Sequence, residues 1–64
     1  MTPDQLRAAL DDLHWSQRGL ATILRRDERQ VRRWASGDAE IPADVAGWLE
    51  RVAQAMRDNP PPWR

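Results

Sequence analysis

Four stretches of this chain place their apolar residues at helical spacing, each bracketed by its own start and stop signals. Nowhere do apolar and polar residues alternate as they do in a half-buried strand. This pattern restricts the fold class to all-α, with four, or with a further short turn five, short helices. In the first stretch Leu6, Ala9, Leu10 and Leu13 follow i, i+3, i+4, i+7. Thr2 is an N-cap, Pro3 sits where a first helical turn tolerates proline, and Gln5 completes a Thr-x-x-Gln capping box, so a helix is expected over about 3–13. The second helix begins after Ser16, past a turn at His14-Trp15, and stops near Leu24 or Arg25. Trp15 and Leu20 take the two positions of a hydrophobic staple, and Leu20, Ala21 and Leu24 form the inward face with Ile23 beside it. The third has Asp27 as N-cap and Glu28 in its first turn, where a negative charge suits the helix dipole. Val31, Trp34 and Ala35 point one way, and Gly37 fits the left-handed position that ends a helix. A polar loop over 38–41 follows. Pro42 opens the fourth helix, which runs to about Arg57 with a stripe of Val45, Trp48, Leu49, Val52 and Met56. Gly47 inside that helix costs up to about 1 kcal/mol relative to Ala, and is expected to mark a close helix contact. Asn59 and Pro60 to Pro62 end it, so residues 1–58 make one domain and 59–64 a Pro-rich tail.

Size and composition narrow the chemistry. Sixty-four residues bury only roughly 60% of the unfolded chain's surface, which leaves little room for an active-site cleft. With no Cys, disulfides, thiolate zinc sites and thiol catalysis are excluded. His14, the one His, lies at a helix boundary, where a capping or solvated role is expected. Asp11 and Asp12 are adjacent, and adjacent helical residues do not face each other. No Ser-His-Asp arrangement, phosphate loop or metal-ligand spacing is present. The expectation is a non-enzymatic domain without cofactor, metal or small-molecule substrate. No apolar run approaches a membrane span and no basic-then-apolar leader opens the chain, so a cytoplasmic location without membrane partners is expected.

The formal net charge is zero, but the charges are unevenly placed. All ten bases are Arg. Residues 17–36 hold six of them (Arg18, Arg25, Arg26, Arg29, Arg32 and Arg33) against two acids, Asp27 and Glu28, a local +4. The remainder carries −4. Such asymmetry suggests an anionic partner for one face.

Two or three residues separate the second and third helices, the spacing of a helix-turn-helix over 17–36. Ala21 supplies the small residue such a crossing demands, and Leu20, Leu24, Val31 and Trp34 the apolar lock. The run Ser16-Gln17-Arg18-Gly19-Leu20-Ala21-Thr22-Ile23-Leu24 followed by Asp27-Glu28-Arg29-Gln30-Val31-Arg32-Arg33-Trp34-Ala35-Ser36-Gly37 resembles the Cro/phage-repressor (lambda-repressor-like) helix-turn-helix DNA-binding family. Its most specific pieces are the "S-Q-x-x-L-A" opening and the "V-R-R-W-x-S-G" close, and the likeness covers 6–56. It departs at the turn. Arg25 and Arg26 stand where the family has Gly and then an apolar residue. Arg25 must adopt a left-handed backbone, at roughly 1 kcal/mol, or the turn must differ.

The resemblance implies roles by position. Gln17 matches a phosphate-clamping Gln, with Ser16 and Arg18 beside it at a helix N-terminus that favours anions. Arg26 is expected on a phosphate. The third helix matches the recognition helix, whose outward positions Glu28, Arg29, Arg32 and Arg33 would read bases in the major groove. Arg29 and Arg33 are expected on guanine, the commonest specific contact of Arg. For Glu28 three readings stay open: it accepts from cytosine, orients Arg32 through an i,i+4 pair, or is simply a first-turn charge.

The implied function is a sequence-specific transcriptional regulator, acting as a dimeric repressor of its own or a neighbouring promoter. A phage, antitoxin-like or anti-defence operon fits equally, and the location is then the nucleoid of a prokaryotic or phage-infected cell. The partners are double-stranded DNA with a palindromic operator and a second subunit. Trp48, Val52, Met56 and Trp63 are candidates for the dimer interface, although Trp34, Trp48 and the other stripe residues suit a monomer core as well. Trp63 is open between docking on the fourth helix or a partner and having no fixed place. A reading from another class is a small helical adaptor that turns the Arg-rich face to an acidic protein.

Overall fold

Local signals place every helix. Thr2 Oγ1 accepts from the Gln5 amide at 3.1 Å while the Gln5 side chain accepts from the Thr2 amide at 2.8 Å. This capping box starts α1 (Pro3–Leu13). Ser16 Oγ accepts from the Gly19 amide at 2.9 Å and starts α2 (Gln17–Leu24). Asp27 Oδ1 accepts from the Arg29 amide at 2.9 Å and starts α3 (Glu28–Ser36). α4 (Ala43–Asp58) follows Pro42, which has no side-chain cap to offer. The computed structural model describes residues 1–62, and these four helices are the only regular elements among them. Trp63 therefore lies outside the described residues.

Three helices end alike. His14, Arg25 and Gly37 each take a left-handed backbone, with φ of 58°, 55° and 87°. The next amide donates back five residues: Trp15 to Leu10 at 3.0 Å, Arg26 to Ala21 at 2.9 Å and Asp38 to Arg33 at 2.9 Å. This Schellman closure satisfies carbonyls that a helix end leaves open. It reverses the chain within three residues, so α2 and α3 are joined by 25–27 alone. Gly37 adopts the conformation freely, whereas His14 and Arg25 carry a Cβ into it.

α1 packs against both α3 and α4, and α2 packs against α3. Leu6, Ala9, Leu10 and Leu13 of α1 meet Val31, Trp34 and Ala35 of α3 and Val45, Leu49 and Ala53 of α4 in one core, which Leu20 and Ala21 of α2 complete. Trp34, 1% exposed, is its largest fully buried side chain. Two polar ties reinforce the α1 contacts. Arg7 donates to the Ala35 carbonyl near the end of α3 and pairs with Asp4. Arg57 Nη1 meets Asp12 Oδ2 at 2.5 Å, joining the end of α4 to α1. No helix among the described residues is long and apolar enough to cross a membrane.

Several sequence expectations need correction. The 38–41 loop is not polar throughout, because Ile41 is buried and anchors it to the core. Gly47 marks no close helix contact, since a Cβ built there would meet only the Arg51 guanidinium of its own helix, at 3.3 Å. Trp48 packs against the core but is only half-buried, and it stacks on Trp15 with ring centroids 6.0 Å apart and planes inclined by 27°. On α2 Leu20 and Ala21 are buried and Leu24 is half-buried against the core, whereas Ile23 beside them is 47% exposed. With eight residues, that helix has few positions to give to the core.

Candidate nucleic-acid interface

The surface of α3 follows from its buried stripe. Val31, Trp34 and Ala35 face the core, so Arg29, Arg33 and Ser36, at i, i+4 and i+7, project on the opposite side with Arg32 at their flank. Arg29, Arg32 and Arg33 are all exposed. Ser36 Oγ is held at 3.2 Å from the Arg33 carbonyl and 3.0 Å from Asp38 Oδ2. The short closure at 25–27 sets the N-terminus of α2, with Ser16 and a half-buried Gln17, on the same molecule's α2–α3 unit.

The six arginines of 17–36 divide into three groups. Arg29, Arg33 and Arg25 are exposed, and none has an ion-pair partner among the described residues. Arg18 and Arg32 share one carboxylate: Glu28 Oε1 accepts from Arg18 Nε at 2.8 Å, and Glu28 Oε2 lies 3.2 Å from Arg32 Nη1. Arg26 forms the third group, with its Cζ 5.7 Å from the centroid of the Trp34 ring.

These placements sharpen the expected roles. The i,i+4 pair of Glu28 with Arg32 is present, and a second pair with Arg18 joins it from α2. The Arg18 side chain is 82% exposed, so its terminal nitrogens still reach solvent, while Glu28 is 29% exposed. The hydrogen bond from Arg18 is the main reason the Glu28 carboxyl sits below the usual carboxylate range. The charges of Arg18 and Arg32 act in the same direction, against partial burial and the charge of Asp27. The same hydrogen bond holds the Arg18 guanidinium more firmly protonated.

At the turn, Arg25 takes the left-handed backbone, with φ 55° and ψ 45°. Arg26 covers Trp34 with its guanidinium where an apolar side chain was expected to be missing. Neither contact has a local sequence signature, because Arg18 and Glu28 are ten residues apart and Arg26 and Trp34 eight. Arg7, which fixes the end of α3 from α1, was likewise not singled out by the sequence.

Of the residues considered for a dimer contact, Trp48, Val52 and Met56 are half-buried at i, i+4, i+8 on α4. Ile23, which the sequence placed beside a core face, is the exposed large hydrophobic residue nearby. With Leu24, Trp48, Arg26 and Asp44 it lines a shallow groove between α2 and α4.

Comparisons with protein-family models, with curated proteins and with solved structures found no match.

Proposed function

We propose that this chain is a sequence-specific DNA-binding transcriptional regulator whose α2–α3 unit is a lambda-repressor-like helix-turn-helix. One observation carries the reading: Arg29 and Arg33 project together from the outer face of α3, exposed and without an ionic partner among the described residues. A helix offering two such guanidiniums one turn apart suits the major groove, where Arg bonds bidentately to guanine. The capped N-terminus of α2 at Ser16 and Gln17 adds amides for a backbone phosphate. The −4 carried outside 17–36 restrains nonspecific attraction to DNA.

Two copies would address the two halves of a palindromic operator, with α3 helices about 34–36 Å apart. Occupying a site that overlaps a promoter is sufficient for repression. The test is a titration of labelled duplexes at physiological salt. A duplex from the DNA immediately upstream of the coding sequence should bind at least ~10³-fold tighter than its scrambled version. Equal affinity for both sinks the reading.

A further inference from the structure

We infer that Glu28 is a positioning residue that withholds two arginines from indiscriminate DNA backbone contact, so that the unpaired arginines of α3 dominate recognition. The inference rests on the DNA-binding reading above. Its geometric basis is the shared carboxylate: Glu28 meets Arg18 of α2 on one oxygen and Arg32 of α3 on the other, at 2.8 Å and 3.2 Å. Two guanidiniums beside one carboxylate present a net +1 to an approaching polyanion instead of +2. Both meet that carboxylate at the α2–α3 junction, whereas Arg29 and Arg33 have no ionic partner among the described residues.

A phosphate that takes Arg18 or Arg32 must compete with a carboxylate already in place. Nonspecific complexes, which rest on phosphate contacts alone, bear that cost, whereas a cognate complex carried by Arg29 and Arg33 forms with Arg18 and Arg32 still paired to Glu28. Base contacts by Arg29 and Arg33 do not require Glu28 to let go. The carboxylate therefore widens the gap between cognate and random DNA without touching a base. This assigns Glu28 a function separate from accepting a hydrogen bond from cytosine.

Salt titration separates these roles, because each phosphate engaged adds about 0.9 to the slope of log affinity against log salt. Wild-type chain and Glu28→Gln are titrated on a scrambled duplex and on the upstream duplex, with thermal melts confirming that both are folded. The Gln variant should show a slope on scrambled duplex steeper by about 1–2, and an affinity at 0.1 M salt about tenfold higher for each phosphate gained. Its ratio of cognate to scrambled affinity should fall. Glu28→Asp, whose shorter side chain keeps the charge, should leave the slope near wild type.

An unchanged or shallower slope in a folded Glu28→Gln overturns the inference, as does a loss confined to one base position. In both cases wild-type binding to the upstream duplex still stands and the DNA reading survives. Wild type that binds the two duplexes equally sinks sequence-specific reading, yet the slope on scrambled duplex still decides the role of Glu28. Binding of neither duplex by either protein at low salt overturns both.

Discussion

The guanidinium of Arg26 lies over the indole of Trp34, Cζ to ring centroid 5.7 Å, so a charged residue of the α2–α3 turn roofs the largest side chain of the core. The arrangement explains how the turn does without an apolar residue. It gives Arg26 a structural duty besides any contact with phosphate.

Removing the ring and removing its cover should differ in scale. Trp34→Ala empties the centre of a four-helix core and should cost ~3–5 kcal/mol, enough to unfold a domain of this size. Arg26→Ala should cost about 0.5–1 kcal/mol, the range of a cation–π contact at a partly exposed site. Chemical denaturation followed by far-ultraviolet circular dichroism checks both, and equal losses would mean that Arg26 does more than cover the ring.

Arg25 holds φ at 55° with a Cβ attached, and its amide closes α2 by donating to the Ala21 and Thr22 carbonyls. Arg25→Gly should keep that closure and relieve the left-handed strain, raising stability by up to about 1 kcal/mol. The same substitution removes an exposed charge, so DNA affinity should fall while the melting temperature rises. A lower melting temperature would show that the Arg25 side chain has a stabilising role the backbone does not reveal.

Arg33 and Gln17 should fail in different ways. Arg33→Ala should relax base preference at one position of each half-site and cost ~1–3 kcal/mol on the cognate duplex. Gln17→Ala should weaken all duplexes by about the same factor. Competition binding against a panel of single-base operator variants distinguishes them. Uniform losses in both would contradict the division between reading and clamping residues.

Acid should release the Glu28 bridge. The folded carboxyl sits below its unfolded value, so its stabilisation is fully present above the ordinary Glu pKa of about 4.3 and is lost as pH falls through the lower folded value. Melting temperatures of wild type and Glu28→Gln should therefore differ most near neutral pH and converge as pH falls through the lowered folded value. A difference that stays constant across this range would mean that the carboxylate charge is not what stabilises the junction.

Much of the architecture was legible because it is local. Capping at Thr2, Ser16 and Asp27 involves residues two or three positions away, and all three bonds form as their spacing requires. The left-handed end at Gly37 follows from the glycine after the last stripe residue, and that at Arg25 is one of two outcomes the resemblance leaves open. The outward positions of α3 follow from Val31, Trp34 and Ala35 by helical geometry alone. Periodicity does not fix how deeply Trp48 is covered, nor that the loop residue Ile41 is buried. It reports which face a residue shares, and neither how far a neighbouring element covers that face nor whether a loop residue folds inward.

Four helices, their ends to within a residue, and the concentration of positive charge on 17–36 are written in local sequence, because helix capping and 3.6-residue periodicity act over a few positions. Helix packing sets where those charges lie and what they touch. It set Glu28 between Arg18 and Arg32, laid Arg26 on Trp34, left Arg29 and Arg33 without an ionic partner among the described residues, and stacked Trp15 on Trp48. Each of these pairings except Glu28 with Arg32 joins residues at least eight positions apart. Such distances close only when the helices pack, and no local pattern encodes them.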